Sequence, residues 1–364
     1  MKPNNFFLES MNYSTRLNPN ILLAEKCNQP CNYCFAKQKM SMTAKREMSM
    51  ADILRLVDFL KKNKQNEIRL MGGEPTLHSQ FKLIINHILS RNLKIELFTN
   101  GLFSQELAHW LNEKRSSIRY IINLTIPAFQ LEYGRGIIEN NLKILKNSKI
   151  IAAITIDSLD FENRPIIDFI KKKIESVRIG IANNLIGDSN WLKWEQYKYF
   201  GSIIVSLIER LNESGVSKLS FNCGFTPCMF TQEQIEGFDE AGIKINGWGC
   251  EGKKGAFDIS TELKIFPCFV LEDFQTKNLF NLKDLKTAKK FIENFLRYTI
   301  KNSPLFVLDR CRNCVYFKVK CPGPCFGRII DELDNREVFK NFQNTFYFKF
   351  IYKLLYIFRN WHWP

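Results

Sequence analysis

The stretch Cys27-Asn28-Gln29-Pro30-Cys31-Asn32-Tyr33-Cys34-Phe35 decides how this chain is read. Three cysteines stand at C-x3-C-x2-C spacing, directly after the apolar run Ile21-Leu22-Leu23-Ala24. A 4Fe–4S cube takes four ligands, usually thiolates. Three thiolates on one tight loop hold three irons and leave the fourth open to chelate a small molecule. The competing readings are a zinc site and a disulfide. Zinc asks for a closed set of four N or S ligands, and no histidine lies near to complete one.

Working outward, the 364 residues are 45% hydrophobic and 24% charged. That is ordinary globular composition, with room for one large domain and a small one. The N-terminus, Met1 to Glu9, has no apolar core of signal-peptide length. No uncharged apolar run approaches the length of about eighteen residues that a transmembrane helix needs. A cytoplasmic location is the expectation, and there cysteines more often serve metals or catalysis than disulfides. The net charge of +15 admits nucleic acid, an anionic membrane surface or an acidic peptide as partner. It equally fits a Lys-rich surface, because the basic residues are spread in pieces such as Lys61-Lys62 and Lys171-Lys172-Lys173. No RNA-recognition signature occurs.

Apolar periodicity predicts strands over Asn20–Ala24, Glu67–Leu70, Lys94–Phe98, Arg119–Thr125, Ile150–Ile156 and Ser176–Ala182. Between them it predicts helices over Met50–Lys62, Gln80–Ser90, Gln105–Asn112, Ile137–Asn147 and Phe161–Lys173, with a long helix near Trp191–Asn212. Ser49 and Asp52 read as a capping box for the first helix. Alternation of this kind implies right-handed parallel βα units. Six units are fewer than a closed eightfold barrel requires. Barrel sites lie at the C-terminal ends of strands, and the unusual residues fall there: Cys27 to Cys34, then Met71-Gly72-Gly73-Glu74-Pro75, then Phe98-Thr99-Asn100-Gly101. Asn123 lies on strand four.

The cysteine spacing, with Tyr33 just before the third cysteine, resembles the radical S-adenosylmethionine (SAM) superfamily. The resemblance covers about Leu17–Ala182. It implies an α/β fold, a partial (β/α)6 barrel, with Cys27, Cys31 and Cys34 holding a 4Fe–4S cluster. The open iron of that cluster takes the amino and carboxylate groups of SAM. Its reduced form cleaves SAM to a 5′-deoxyadenosyl radical, with electrons from a donor such as flavodoxin or ferredoxin. Gly72-Gly73-Glu74-Pro75 resembles the family's second signature, whose backbone and carboxylate bond the SAM amino group. Asn123 and Arg135, twelve residues apart, resemble the pair that holds the SAM carboxylate, although Ser is the more frequent residue at the first position. Arg135 also reads as a solvated residue at a helix start. Tyr33 and Asn100 join the SAM-binding set.

Eight further cysteines follow: Cys223, Cys228, Cys250, Cys268, Cys311, Cys314, Cys321 and Cys325. Cys311 to Cys325 reads C-x2-C-x6-C-x3-C, and Cys250 precedes an expected hairpin ending at Phe266-Pro267-Cys268. This resembles the SPASM extension, which carries auxiliary 4Fe–4S clusters beside a radical SAM barrel. One or two such clusters are implied. The first would take Cys250, Cys268 and Cys325 with Cys223 or Cys228, and the second would draw on Cys311, Cys314 and Cys321. The pattern departs from the family in three ways. The x6 run is one residue longer than usual, Leu263 stands where a turn glycine is usual, and no cysteine follows Cys325. A structural zinc knuckle is the alternative, since its spacings overlap.

The expected divisions are an N-terminal segment 1–16, a barrel 17–222, a cysteine-rich domain 223–330 and an aromatic, basic tail 331–364. The tail reads as a core-packing helix or an amphipathic membrane or partner helix. No separate leader-binding domain is expected ahead of the barrel, so leader recognition would fall to the barrel edge, the extension or a separate protein. SPASM-type enzymes commonly act on ribosomally made peptides or on sulfatases. Sulfatase maturases carry Asp after the hairpin cysteine, where this chain has Phe269. The resemblance therefore implies oxidative crosslinking of a peptide or protein side chain. A radical SAM enzyme acting on RNA or a small metabolite is the alternative. A non-enzymatic zinc-stabilised nucleic-acid module leaves Gly72-Gly73-Glu74 and Asn100 at strand ends without a role.

Overall fold

The computed structural model describes residues 19–332, apart from 35, 38, 162–163, 172–173, 183–191, 241–242, 244–256, 273–275, 297–306, 320 and 322. Cys250, the segment 1–16 and nearly all of the tail 331–364 lie outside the described residues. The strands are β1 (Asn20–Leu22), β2 (Glu67–Met71), β3 (Lys94–Thr99), β4 (Ile118–Asn123), β5 (Lys149–Ile156), β6 (Ser176–Ile181) and β7 (Lys218–Phe221), then β8 (Asp258–Ile259), β9 (Lys264–Phe266) and β10 (Lys277–Asn278). The helices are α1 (Met50–Lys62), α2 (Phe81–Ser90), α3 (Gln105–Asn112), α4 (Pro127–Gln130), α5 (Glu132–Ile144), α6 (Arg164–Ile170), α7 (Tyr197–Glu213), α8 (Gln232–Glu240), α9 (Leu285–Asn294), α10 (Asp309–Arg312) and α11 (Phe326–Glu332).

β1 to β7 pair in chain order, all parallel, as alternating βα units demand. Their buried-on-both-faces character explains the near-continuous apolar runs such as Ile150-Ile151-Ala152-Ala153-Ile154. Ser49 caps α1: its Oγ accepts from the Asp52 N–H at 3.1 Å and donates to the Asp52 carboxylate at 2.7 Å. α5 begins five residues earlier than periodicity predicts. Gly134 is the reason, because a Cβ there would stand 2.2 Å from the Ala128 carbonyl oxygen. The absence of a side chain at Gly134 lets α5 pack closely against α4.

Two features of the sheet go beyond what periodicity predicts. β7, only four residues long, adds a seventh parallel strand. The β8–β9 hairpin is present as predicted, but β8 also pairs in parallel with β1, so the cysteine-rich region continues the barrel sheet. At the hairpin turn, Leu263 has φ +62°, the left-handed conformation for which glycine is usual. Its side chain is buried, which offsets that backbone cost.

The main core fills the space between the sheet and its helices. The opposite face of the sheet carries a polar row in register: Asp258, Asn20, Arg69, Glu96 and Arg119. Buried Glu96 pairs with Arg69 at 3.3 Å and also with Arg119. Asn20 Nδ2 donates to Asp258 Oδ1 at 2.7 Å. Burial pushes the Asp258 carboxyl up to about 7, and the Asn20 bond opposes the shift. The folded chain therefore binds more protons than the unfolded chain between about pH 4 and pH 7. Stability contributed by this group falls as pH rises through that window and is level above it. Asp258→Asn is expected to flatten the slope, raising stability at pH 8 relative to pH 5 by up to about 3 kcal/mol. Thermal melts at the two pH values measure it, and an unaltered slope would remove Asp258 as its source.

Candidate SAM-cluster site

The cysteine loop leaves β1 and is held at its stem by backbone bonds. Cys27 N–H donates to Ser41 O at 3.0 Å, Gly73 N–H to Ala24 O at 2.8 Å and Glu74 N–H to Lys26 O at 2.8 Å. A Cβ on Gly72 would stand 2.4 Å from Ala24 O. A Cβ on Gly73 would stand 2.3 Å from Lys26 O and 2.8 Å from Cys27 Cβ. Both glycines are thus required by the approach of the β2 end to the cysteine loop itself.

Glu74 is 0% exposed. Its Oε1 accepts from the Thr76 N–H (3.2 Å), the Thr76 hydroxyl (2.7 Å) and the Thr99 hydroxyl (2.8 Å), and its Oε2 from the Asn100 N–H (2.7 Å). Burial raises its pKa, and these four donors oppose the rise. Glu74 thereby ties the ends of β2 and β3 together, and its Oε2, with a single chain donor, keeps acceptor capacity for the ammonium group that the resemblance implies. Asn100 passes that tie to the loop, its Nδ2 donating to Asn28 Oδ1 at 2.6 Å.

Tyr33 is tied to β4. Asn123 Nδ2 donates to the Tyr33 hydroxyl at 3.0 Å, and Asn123 Oδ1 accepts from the Thr125 N–H and hydroxyl at 3.0 and 2.7 Å. The Tyr33 hydroxyl also lies 3.1 Å from Thr125 Oγ1 and hydrogen-bonds the Cys31 sulfur. Burial raises the Tyr33 hydroxyl well above its ordinary pKa. Gln29 Oε1 accepts from the Ala128 N–H at 3.0 Å, fixing the loop to α4. Asn28, Gln29, Thr99 and Thr125 are not singled out by the sequence. The available signal was the pair of amides inside the cysteine loop and the Thr residues beside Asn100 and Asn123.

Cys27, Cys31 and Cys34 are half-buried. Burial raises all three thiols, Cys31 to about 11, and Cys31 is raised further by Cys34 and Cys27. Three thiols that burial keeps protonated, Cys27 and Cys31 also by neighbouring sulfurs, become thiolates when a cationic group binds them. That donor set fits the implied 4Fe–4S cluster.

Arg135 lies in the first turn of α5, half-buried. It lines a concavity with Glu139, Arg164 and Asp168, and its guanidinium has no hydrogen-bond or ion-pair partner among the described residues. A free, half-buried guanidinium suits a carboxylate ligand. Arg135→Ala is expected to weaken SAM binding ten- to a hundredfold, about 1.5–3 kcal/mol. Equilibrium dialysis against the anaerobic protein measures this, and unchanged affinity would make Arg135 a surface residue.

Among the extension cysteines, Cys268 follows β9, Cys311 lies in α10 with Cys314 just beyond it, and Cys325 directly precedes α11. Cys223 and Cys228 follow β7. Phe266 and Phe269, on either side of Cys268, form an apolar cluster with Leu22 and Ala36, against which Cys34 packs. Among the described residues no helix is long and apolar enough to cross a membrane.

Comparison with known proteins agrees with this geometry. The chain is 31% identical over 83 residues to an S-adenosylmethionine-dependent nucleotide dehydratase of Selenomonas ruminantium, covering 22% of this chain and 29% of that protein. It is 23% identical over 346 residues to the radical SAM cyclopropyl synthase TigE of Paramaledivibacter caminithermalis, covering 86% of this chain and 69% of that one. The crystal structure of Streptococcus suis SuiB bound to S-adenosylmethionine superposes with a TM-score of 0.62 at 16% identity, covering 86% of this chain and 74% of SuiB. The sequence model of the radical SAM superfamily matches residues 21–242, more than half of the chain, and this protein belongs to that superfamily of enzymes.

Proposed function

We propose that this radical SAM enzyme oxidatively modifies, by crosslinking, a side chain of a ribosomally made peptide or protein. The hairpin carries the reading. β8 extends the barrel sheet from β1, and Phe266 and Phe269 pack beside Cys34, so the hairpin that leads to Cys268 packs on the SAM-cluster loop. Two thiol-rich regions joined in this way suit a two-step oxidation of one substrate. The solved neighbours favour a peptide over a nucleotide: anSMEcpe, a neighbour in fold, has been crystallised with AdoMet and a Kp18Cys peptide, whereas the nucleotide dehydratase matches less than a quarter of the chain. SuiB, a neighbour in fold, has been crystallised with its precursor peptide SuiA.

When bound, the SAM cluster supplies reductive cleavage of SAM, and auxiliary clusters in the extension a sink for an electron. The chain's own residues do the rest. Cys27, Cys31 and Cys34 hold the cluster, and Asn28, Gln29 and Tyr33 fix the loop against β3, α4 and β4. Phe269, buried and stacked edge-on against Phe266 at 5.3 Å, offers no base where sulfatase maturases carry Asp. The net charge of +15 suits an acidic peptide, whose turnover would fall as salt rises. The reductant would be a flavodoxin or ferredoxin, and leader recognition would fall to the barrel edge, the extension or a separate protein.

The test is mass spectrometry of a peptide encoded beside the gene after anaerobic incubation with SAM and reductant, with the Cys27→Ala protein as blank. The peptide is expected to lose two hydrogens per event, one carried off on 5′-deoxyadenosine and one leaving as a proton and an electron. An unmodified peptide, with RNA or a small metabolite changing mass instead, would overturn the substrate class and leave the enzyme family untouched.

A further inference from the structure

Family resemblance puts the last auxiliary ligand downstream of the C-x2-C-x6-C-x3-C block, yet no cysteine follows Cys325. The fold brings another cysteine to that block. Cys228 sits on the short turn Pro227–Met229, just after β7. Its sulfur and those of Cys311, Cys314 and Cys321 are mutually within electrostatic reach, every pair among the four interacting. Cys223, only five residues earlier, is not in this set; the extension sulfur it acts on is Cys325.

The surrounding contacts are those of a built site. Thr226, 1% exposed, places its hydroxyl 3.0 Å from Cys228 Sγ. The Gly323 N–H donates to Cys321 Sγ at 3.4 Å. The Cys311–Cys321 loop is folded on itself, with Cys314 N–H donating to Cys311 O at 3.3 Å and Cys321 N–H to Tyr316 O at 2.8 Å. The Tyr316 hydroxyl donates to Gln232, fastening this loop to α8, the helix that follows Cys228. Cys228 and Cys311 both pack at the rim of the main core. Among the described residues no three His, Cys, Asp or Glu side chains are close enough to share one ion. Tetrahedral zinc, with Zn–S near 2.3 Å, needs sulfurs about 3.8 Å apart. A cube interposes its own irons and sulfides and takes thiolates from a wider ring.

We propose that Cys228, Cys311, Cys314 and Cys321 are the four ligands of one auxiliary iron–sulfur cluster, with Cys228 supplied from the barrel side. Cys223 and Cys325 then belong to the other set. The proposal rests on reading the extension cysteines as iron–sulfur ligands. One consequence is mechanical: the cluster links the end of the parallel sheet covalently to a loop more than eighty residues further on.

The test uses full-length protein reconstituted anaerobically, reading iron and sulfide content, the electron paramagnetic resonance of the reduced protein, and far-ultraviolet circular dichroism for fold. Cys228→Ala is expected to lose the same spectral component as Cys311→Ala, with about four fewer irons. The double variant is expected to lose no more than either single one, and Cys223→Ala to keep that component. Cys228→Ser preserves the side-chain volume and offers a weaker oxygen ligand, so it decides the matter if Cys228→Ala unfolds: a component with shifted g-values supports the proposal. The component persisting unshifted in both Cys228 variants, its loss in Cys223→Ala, or zinc in place of iron would each overturn it. None of these readouts depends on substrate, so failure here leaves the peptide assignment standing.

Discussion

Replacing Cys27, Cys31 and Cys34 together with alanine is expected to abolish 5′-deoxyadenosine formation while leaving about eight of some twelve irons in place. The large effect follows from the geometry of the loop. On the proposed reading the three thiols are the ligand set of the open-iron cluster, and they stand on one short loop, so replacing all three leaves it without thiolates. The clusters proposed for the extension draw on other thiols, so their iron is expected to remain. Iron analysis and chromatography of the SAM reaction give the two numbers. Complete loss of iron would mean that the extension cannot assemble without the loop, and residual 5′-deoxyadenosine would place SAM cleavage elsewhere.

Gly73→Ala is expected to be nearly as damaging, although it removes no functional group. The added Cβ would meet Lys26 O at 2.3 Å and Cys27 Cβ at 2.8 Å, and the first of these is backbone with no flexible end to swing aside. Overpacking of this kind costs about 1–3 kcal/mol or more. Relief requires the stem of the cysteine loop to move away from β2, and with it Cys27. Loss of the SAM-cluster iron should therefore exceed the loss of overall stability. Gly136→Ala is the control, since a Cβ there meets nothing within 4 Å and alanine favours the helix by about 0.5–1 kcal/mol. Equal iron in Gly73→Ala and Gly136→Ala proteins would show that the loop tolerates the displacement.

The amino-acid sequence by itself determined the cluster loop and most of the sheet. C-x3-C-x2-C is a local constraint: its residues are near in space because they are near in sequence, so three ligands of one cluster can be read directly. The six parallel strands follow from apolar runs separated by helical periods, and successive units lie side by side in the sheet. Even the departure at Leu263 is visible as a missing glycine, and the fold places that residue at φ +62°.

What the tertiary structure alone decided has one common cause, which is that register and long-range packing leave no local signature. Glu74 stands at the spacing of a SAM ligand, but only the fold shows four donors of the chain enclosing its carboxylate. Arg69, Glu96 and Arg119 look like isolated polar interruptions until parallel pairing sets them side by side. β8 is two residues long, too short for any periodicity, and acquires its meaning by pairing with β1. Cys223 and Cys228 are interchangeable on spacing. The turn after β7 separates them, sending one sulfur toward Cys325 and the other toward Cys311, Cys314 and Cys321.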